Sequence, residues 1–323
     1  MCTALTFCTK DHYFGRTLDL EYHYDERVVI APRAFPLAFR KMGVMQRHYA
    51  MIGMATVVDG YPLYYDATNE QGLSMAGLNF PGNAFYPEEV KGKDNVAPFE
   101  FIPWVLGQCE NVGQVKKLLQ YINLVRENFS SDLPLSPLHW MIADKSECIV
   151  VESMADGLHI YDNDVGVMTN NPPFPMQRMH LNNYMNLSCE PAVNRFAQGT
   201  ELTAYSRGMG ALGLPGDWSS ASRFVRVAFV RENSLCGESE SESVSQFFHI
   251  LGAVEHPRGV VRLNGGEEIT VYTSCCNADK GIYYYTTYEN RSITGIDMHK
   301  ADLEAAQLSI YPLRLSERIT MEK

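Results

Sequence analysis

The second residue of the chain is a cysteine, and a cysteine placed there can do more than one placed elsewhere. Removal of Met1 ahead of so small a residue leaves a thiol and a free α-amine on Cys2, the amine with an ordinary pKa of about 7.7 to 8. A thiolate is a nucleophile, and an amine on the same residue is a base already within reach. Arg16 and Asp19, in FGRTLDLEY, stand on the next strand-like segment, which a hairpin lays beside residues 3 to 8. A spacing of three sends their side chains to opposite strand faces unless a bulge or bend intervenes. The two read either as an ordinary surface ion pair or as a guanidinium that steadies a thiolate and a carboxylate that orients the amine.

Asn79 in GLNFPG and Asn170 in VMTNNPP each end an apolar strand just before a Pro-containing turn. Asn suits such turns, and the same pair can present a backbone N–H and a side-chain amide to a developing oxyanion. Arg223, in SSASRFVRV, is a charge beside Phe224 and Val227 near the start of a helix, with Arg226 an equal candidate for a solvated position. His139, in LHWMIAD, fits a core or half-buried histidine; its other reading is the base of a Cys–His pair of protease type. Gly208, Gly210 and Gly213 spell G-x-G-x-x-G, but polar Ser206-Arg207 precedes them where a strand should end. Leu214-Pro215-Gly216 follows where a helix should run, so these glycines read as loop and not as a dinucleotide fingerprint. Nine histidines without H-E-x-x-H or paired metal spacing, and no G-x-S-x-G elbow, leave metal and serine chemistry unsupported; no metal and no cofactor is expected.

The elements that must hold these residues are mostly strands. Residues 3 to 85 break into TALTFCT, DHYFGRTLDLEY, RVVIAP, YAMIGMATVV and GLSMAGLNF, with Gly, Pro and Asp between them. Helical period first appears over 112 to 125, where Val112, Val115, Leu119, Ile122 and Val125 share a face. A second strand group follows in LHWMIAD, ECIVVES, GLHIYDN and VGVMTN. Helices are predicted from about Ser220 to Arg231 and from about Glu242 to Val254, the latter with Ser239 and Glu242 placed to cap it. Strands return at TVYTSCC and GIYYYTTY, and Pro191 to Gly216 reads as a long loop. Strands and helices come in runs and do not alternate one for one, which fits an α+β fold of two antiparallel sheets with helices outside. No linker or internal repeat divides the chain, so residues 1–323 are expected to form one domain.

Composition narrows the partners. Of 323 residues, 46% are hydrophobic and 20% charged, enough to bury a core. A formal charge of −11 with no basic cluster disfavours nucleic acid. No run approaches the ~20 apolar residues of a membrane span, and Lys10, Asp11, Arg16 and Asp19 stand where a signal peptide would be apolar. A cytoplasmic protein is expected. Eight scattered cysteines make no C-x-x-C pair and read mostly as reduced, buried thiols. Neighbouring Cys275 and Cys276 lie in a strand-like run that turns them to opposite faces, against a vicinal disulfide.

Read together, MCTALTF, FGRTLDLEY, NEQGLSMAGLNFPG, LPLSPLHWMIADK, GVMTNNPPF, GLPGDWSSASRFVRVAF, SQFFHILGAVE, YTSCCN and KGIYYYTTYEN resemble the choloylglycine hydrolase family of N-terminal nucleophile hydrolases, from Met1 to about His299. The resemblance implies a four-layer αββα fold, processing limited to loss of Met1, and amide hydrolysis through a thioester in a bacterial, tetrameric enzyme. It gives Cys2 the roles of nucleophile and base and sets Arg16 and Asp19 beside it. Asn79 becomes a backbone oxyanion donor, Asn170 a side-chain donor and Arg223 an electrostatic support. Bile salt hydrolases of the family look distinct from penicillin V acylases, which tend to carry Tyr where this chain has Asn79, so glycine- or taurine-conjugated bile salts are the expected substrates. Leu18, Tyr24, Val58, Tyr65, Phe129, Leu133 and Leu138 are the positions expected to line the steroid. Ser206 and Arg207 offer donors to an anionic tail, and the three oxygens of a sulfonate give a taurine leaning. Alternatives are a penicillin V or acyl-homoserine lactone acylase of the same chemistry, and a non-catalytic steroid carrier that keeps Met1.

Overall fold

The computed structural model describes residues 1–263 and 265–322. Its organising feature is visible in the strand Arg27–Ala31, where neighbours serve two different cores: Val28 and Ile30 join one buried cluster, Val29 and Ala31 the other. Successive side chains of a strand point to opposite faces, so an uninterrupted apolar run marks a sheet covered on both sides. The same division holds along Leu138–Ala143, with Met141 and Ala143 on one side and Trp140 and Ile142 on the other.

Two antiparallel sheets result. The first runs Val167–Met168, Cys2–Cys8, His12–Leu20, Gly266–Asn277, Ile282–Thr287, Asn290–Asp297, with Val261–Leu263 paired beside Gly266–Asn277. The second runs Gly157–Asp162, Cys148–Met154, Leu138–Ala143, Ser74–Asn79, Tyr61–Asn69, Met51–Val58, Arg27–Ala31, Ser309–Pro312. Helices Ser220–Asn233 and Glu240–Gly252 cover the outer face of the first sheet, and Phe101–Leu106 and Val112–Leu118 cover that of the second. The layers are α, β, β, α, as expected.

Most predicted strands form within a residue or two of their expected ends. The helix expected over 112–125 stops at Leu118, and Ile122–Leu124 pairs in parallel with Asp94–Val96. Ile122 is buried there by its strand neighbours, so a tertiary contact satisfies an apolar position that helical period also explained. Of the two helices predicted after the long loop, the first spans Ser220–Asn233 and the second Glu240–Gly252, with Ser239 and Glu242 forming a reciprocal capping box. Within Pro191–Gly216 the chain is irregular apart from a short 3-10 turn at Met209–Ala211, so Gly208 and Gly213 lie in a loop, both at positive φ. Cys275 and Cys276 are free and buried, as are Cys2 and Cys109; Cys8 and Cys189 are exposed. Among the described residues no helix is long and apolar enough to cross a membrane.

Candidate active site

Cys2 begins the first strand and faces Leu18 across the hairpin, with Ala4 opposite Arg16. Directly opposed residues share a face, so Cys2, Leu18 and Arg16 look toward the second sheet, and Thr3, Thr17 and Asp19 toward the helices. The sheet therefore separates Arg16 from Asp19, as their spacing predicts. The one irregularity nearby lies on the neighbouring strand, between Thr270 and Tyr272.

Arg16 is buried and reaches across the gap: Nη1 donates to Gly77 O at 2.6 Å and Tyr65 O at 3.2 Å, and Nε to Thr17 O at 3.1 Å. Among the described residues its Nη2 has no partner. Burial works against this charge, but Cys2, Tyr272, Asp66 and Asp19 around it hold the guanidinium above its ordinary pKa. Asp66 lies behind it, wholly buried, accepting from Tyr272 Oη at 2.6 Å and Tyr283 Oη at 2.7 Å, and burial raises its pKa.

Asn170 is gripped from every side. Its Oδ1 accepts from Cys2 N–H at 2.8 Å and from Arg223 Nη2 at 2.8 Å, and its Nδ2 donates to Asn79 O at 2.7 Å. Its main chain is fixed by Ser220 Oγ, 2.8 Å from its N–H, and by Gln177 Nε2, 2.6 Å from its carbonyl. Arg223, also buried, donates from Nη1 to Cys2 O and Thr3 Oγ1, both at 2.6 Å, and from Nε to Trp218 O at 3.0 Å. Burial lowers its pKa against the opposing pull of Asp19, Cys2 and Glu268. Arg226, the other candidate, is half-buried and holds Gly216 O at 2.7 Å.

Asn79 closes the ring from the second sheet. Gly77 and Asn79 are two apart and turn their peptide groups to the same edge. Gly77 O meets Arg16 there and Asn79 O meets Asn170, so the Asn79 N–H faces the same space, while Phe80 N–H pairs the other way with Pro137 O. His139 is a core residue. Its ring nitrogens meet Glu152 Oε1 at 3.1 Å and Thr169 O at 2.8 Å, which leaves it engaged elsewhere than at Cys2.

Asp19 is wholly buried on the helix side, its carboxylate accepting from Thr270 Oγ1 at 2.6 Å and Thr17 Oγ1 at 3.1 Å. With Met1 in place, the terminal amine meets Asp19 O at 2.5 Å and Glu268 Oε2 at 2.8 Å. Thr270, Glu268 and the adjoining His256 escaped sequence reasoning, as did Ser220 and Gln177. Of these, Ser220 fell inside a quoted motif, SSASRFVRV, and Thr270 opened the predicted strand TVYTSCC.

The residues expected to line a steroid divide into two sets. Leu18 opposes Cys2, and Tyr65 gives its carbonyl to Arg16 and its hydroxyl to Thr56 at 2.8 Å, so these two lie near the nucleophile position. Leu138 pairs with Asn79 but packs beside Trp140 on the outer face of the second sheet, against the expectation, because it alternates in step with Trp140 along the strand. Tyr24 lies next to Tyr65 through Thr56, which donates to the Tyr24 carbonyl. Val58 pairs with Tyr61, whose ring packs 6.1 Å from Phe129, and Leu133 sits in a turn with Ser130. Ser206 and Arg207 are on an exposed loop, where Ser206 Oγ donates to Arg207 O at 3.1 Å.

An αββα sandwich with Cys2 at the start of a strand of its first sheet fits an amide hydrolase, and comparison with known proteins bears the class out. Residues 2–311 match the family described as linear amide C–N hydrolases, choloylglycine hydrolase family. A bile salt hydrolase/transferase of Lactiplantibacillus plantarum is 54% identical over 315 residues, 97% of each chain. The crystal structure of a mutant conjugated bile acid hydrolase from Clostridium perfringens superposes with a TM-score of 0.92 at 39% identity over all of both chains. Penicillin V acylase from Agrobacterium tumefaciens, 19% identical over 96% of this chain and 90% of its own with a TM-score of 0.73, shares the fold. The chain belongs to the choloylglycine hydrolase family and is a hydrolase of linear amide C–N bonds.

Proposed function

We propose that the chain hydrolyses the amide of glycine- or taurine-conjugated bile salts, with Cys2 as nucleophile after loss of Met1. The observation that carries this reading is the clamp on the Cys2 main chain, where Asn170 and Arg223 hold its N–H and C=O. Once Met1 is gone, that nitrogen is the free amine. The thiolate of Cys2 attacks the carbonyl between steroid acid and amino acid, with Arg16 as a fixed positive charge on the sulfur's side of the sheet. The Asn79 N–H and the second hydrogen of Asn170 Nδ2 donate to the oxyanion. The amine delivers a proton to the leaving nitrogen, glycine or taurine departs, and the amine then activates water against the thioester.

Relatives that share up to 54% identity along nearly the whole chain are named for bile salts, which supports the choice of substrate. Leu18 and Tyr65 supply apolar surface beside the nucleophile, with Tyr24, Val58, Phe129, Leu133 and Leu138 further out. A taurine leaning is assigned to Ser206 and Arg207, whose donors suit a sulfonate; an unchanged taurocholate to glycocholate ratio in Arg207→Ala removes it. The word transferase in the relatives' names supports a second outcome for the same thioester: capture by an amine in place of water, with the thiolate as leaving group. The deciding experiment measures the N-terminal mass of the protein and its turnover of glycocholate, taurocholate and penicillin V. Retained Met1 in an active preparation, or normal turnover by Cys2→Ala, rules the mechanism out.

A further inference from the structure

Two buried carboxylates, Asp19 and Glu268, lie on the helix side of the first sheet, behind the strand that carries Cys2. Among the described residues no Lys or Arg side chain comes within ion-pair distance of either. What stands between them is the imidazole of His256, itself wholly buried: Nδ1 is 2.9 Å from Glu268 Oε1, off the line of a good hydrogen bond, and Nε2 is 3.8 Å from Asp19 Oδ2. The ring is not free to wander. His256 N–H donates to Thr270 Oγ1 at 2.8 Å, Thr270 N–H donates back to His256 O at 3.2 Å, and the Thr270 hydroxyl donates to Asp19 Oδ1 at 2.6 Å. His256 also stands at the wall of a cavity of about 430 Å³, together with Thr270, Thr273, Glu255 and Arg291.

We propose that His256 is a positioning residue for the hydrolysis: its imidazole is shared between Glu268 and Asp19 and holds both carboxylates in place behind the amine of residue 2. This rests on the reading given under Proposed function. When Met1 leaves, Glu268 loses the amine 2.8 Å from its Oε2, and the new terminal amine arises one residue further along the strand. His256 then remains as the ionisable group facing Glu268. An apolar residue in its place leaves two buried carboxylates with no polar ring between them, and buried polar groups that lose such a neighbour shift out of place. The amine that serves as base is then wrongly oriented.

Substrate reaches Cys2 from the opposite face of the sheet, the face of Arg16 and Leu18, so the defect belongs in kcat and not in KM. The experiment uses the full chain, with its Cys2 terminus verified by mass, and compares His256→Met and His256→Gln on glycocholate. A misplacement of about an ångström remote from the chemistry costs on the order of a hundredfold, so His256→Met should lose roughly ten- to a hundredfold in kcat with KM within about twofold. His256→Gln, which keeps a donor, should recover part of that loss. A folded Met variant with unchanged kcat, or a Gln variant no better than Met, overturns the proposal. If the Met variant does not fold, Glu268→Gln decides in its place, since unchanged kcat there shows that the His256–Glu268 contact positions nothing. Cys2→Ala in the same series separates the two readings: turnover that survives it removes the nucleophile itself, whereas wild-type rates in the His256 variants remove only the role of His256.

Discussion

At the scale of single residues, the candidate site is built around the main chain of Cys2. Asn170 serves two purposes at once, an acceptor for Cys2 N–H and Arg223 and a donor toward Asn79, and the two can be separated. Asn170→Asp keeps the acceptor and deletes the donor; the expected outcome is a folded protein with kcat reduced roughly 10²- to 10³-fold, as for loss of one oxyanion donor. Steady-state kinetics on glycocholate beside a thermal melt checks it, and an undiminished kcat would take Asn170 out of the oxyanion site. Asn79, Asn170 and Arg223 stood out in the sequence because each sits where a strand or helix begins or ends. Glu268 and His256 did not, because their meaning comes from contacts with residues as distant as Met1 and Asp19, and no local pattern encodes which strands become neighbours.

At the scale of elements, close approach between strands decides what is tolerated. A Cβ on Gly15 would lie 2.0 Å from Ser274 O, a backbone atom of the adjoining strand that cannot swing aside. Gly15→Ala is therefore expected to cost on the order of 1–3 kcal/mol or more by forcing the strands apart, read as a lower urea midpoint. The capping box of Glu240–Gly252 offers a milder test: Ser239→Ala should cost about 1 kcal/mol and lower the melting temperature without touching KM. That cap was legible because Ser and Glu three residues apart are a local signal. Tyr61–Asn69 was missed, since Pro62 breaks its pattern and the register of its partner slips between Met54 and Ala55. The helix over 112–125 was drawn too long because Ile122 and Val125 satisfy helical period and strand burial alike.

At the scale of the whole molecule, stability depends on pH through a buried histidine. His12 hydrogen-bonds to Thr6 Oγ1 at 2.7 Å, and burial pushes its pKa from 6.5 down to about 4. Above 6.5 neither folded nor unfolded chain binds the proton. As pH falls from 6.5 to 4 the unfolded chain binds it and the folded chain does not, so stability drops over that window, by roughly 3 kcal/mol in full. Urea midpoints measured between pH 7 and pH 4 should show the decline, and His12→Gln should flatten it; parallel curves would clear His12 of the effect. The proposal that 1–323 is one domain predicts a single cooperative transition in calorimetry. Cys2, the proposed nucleophile, and Asn170 hang from the first sheet, whereas the Asn79 peptide is carried by the second, and side-chain packing with a few hydrogen bonds from Arg16 and Asn170 sets the gap between them. Slippage of one slab against the other by a fraction of an ångström would misalign the halves while every strand stayed intact. Conservative changes in the sandwich filling, far from any reacting atom, should thus dim the rate before they loosen the fold.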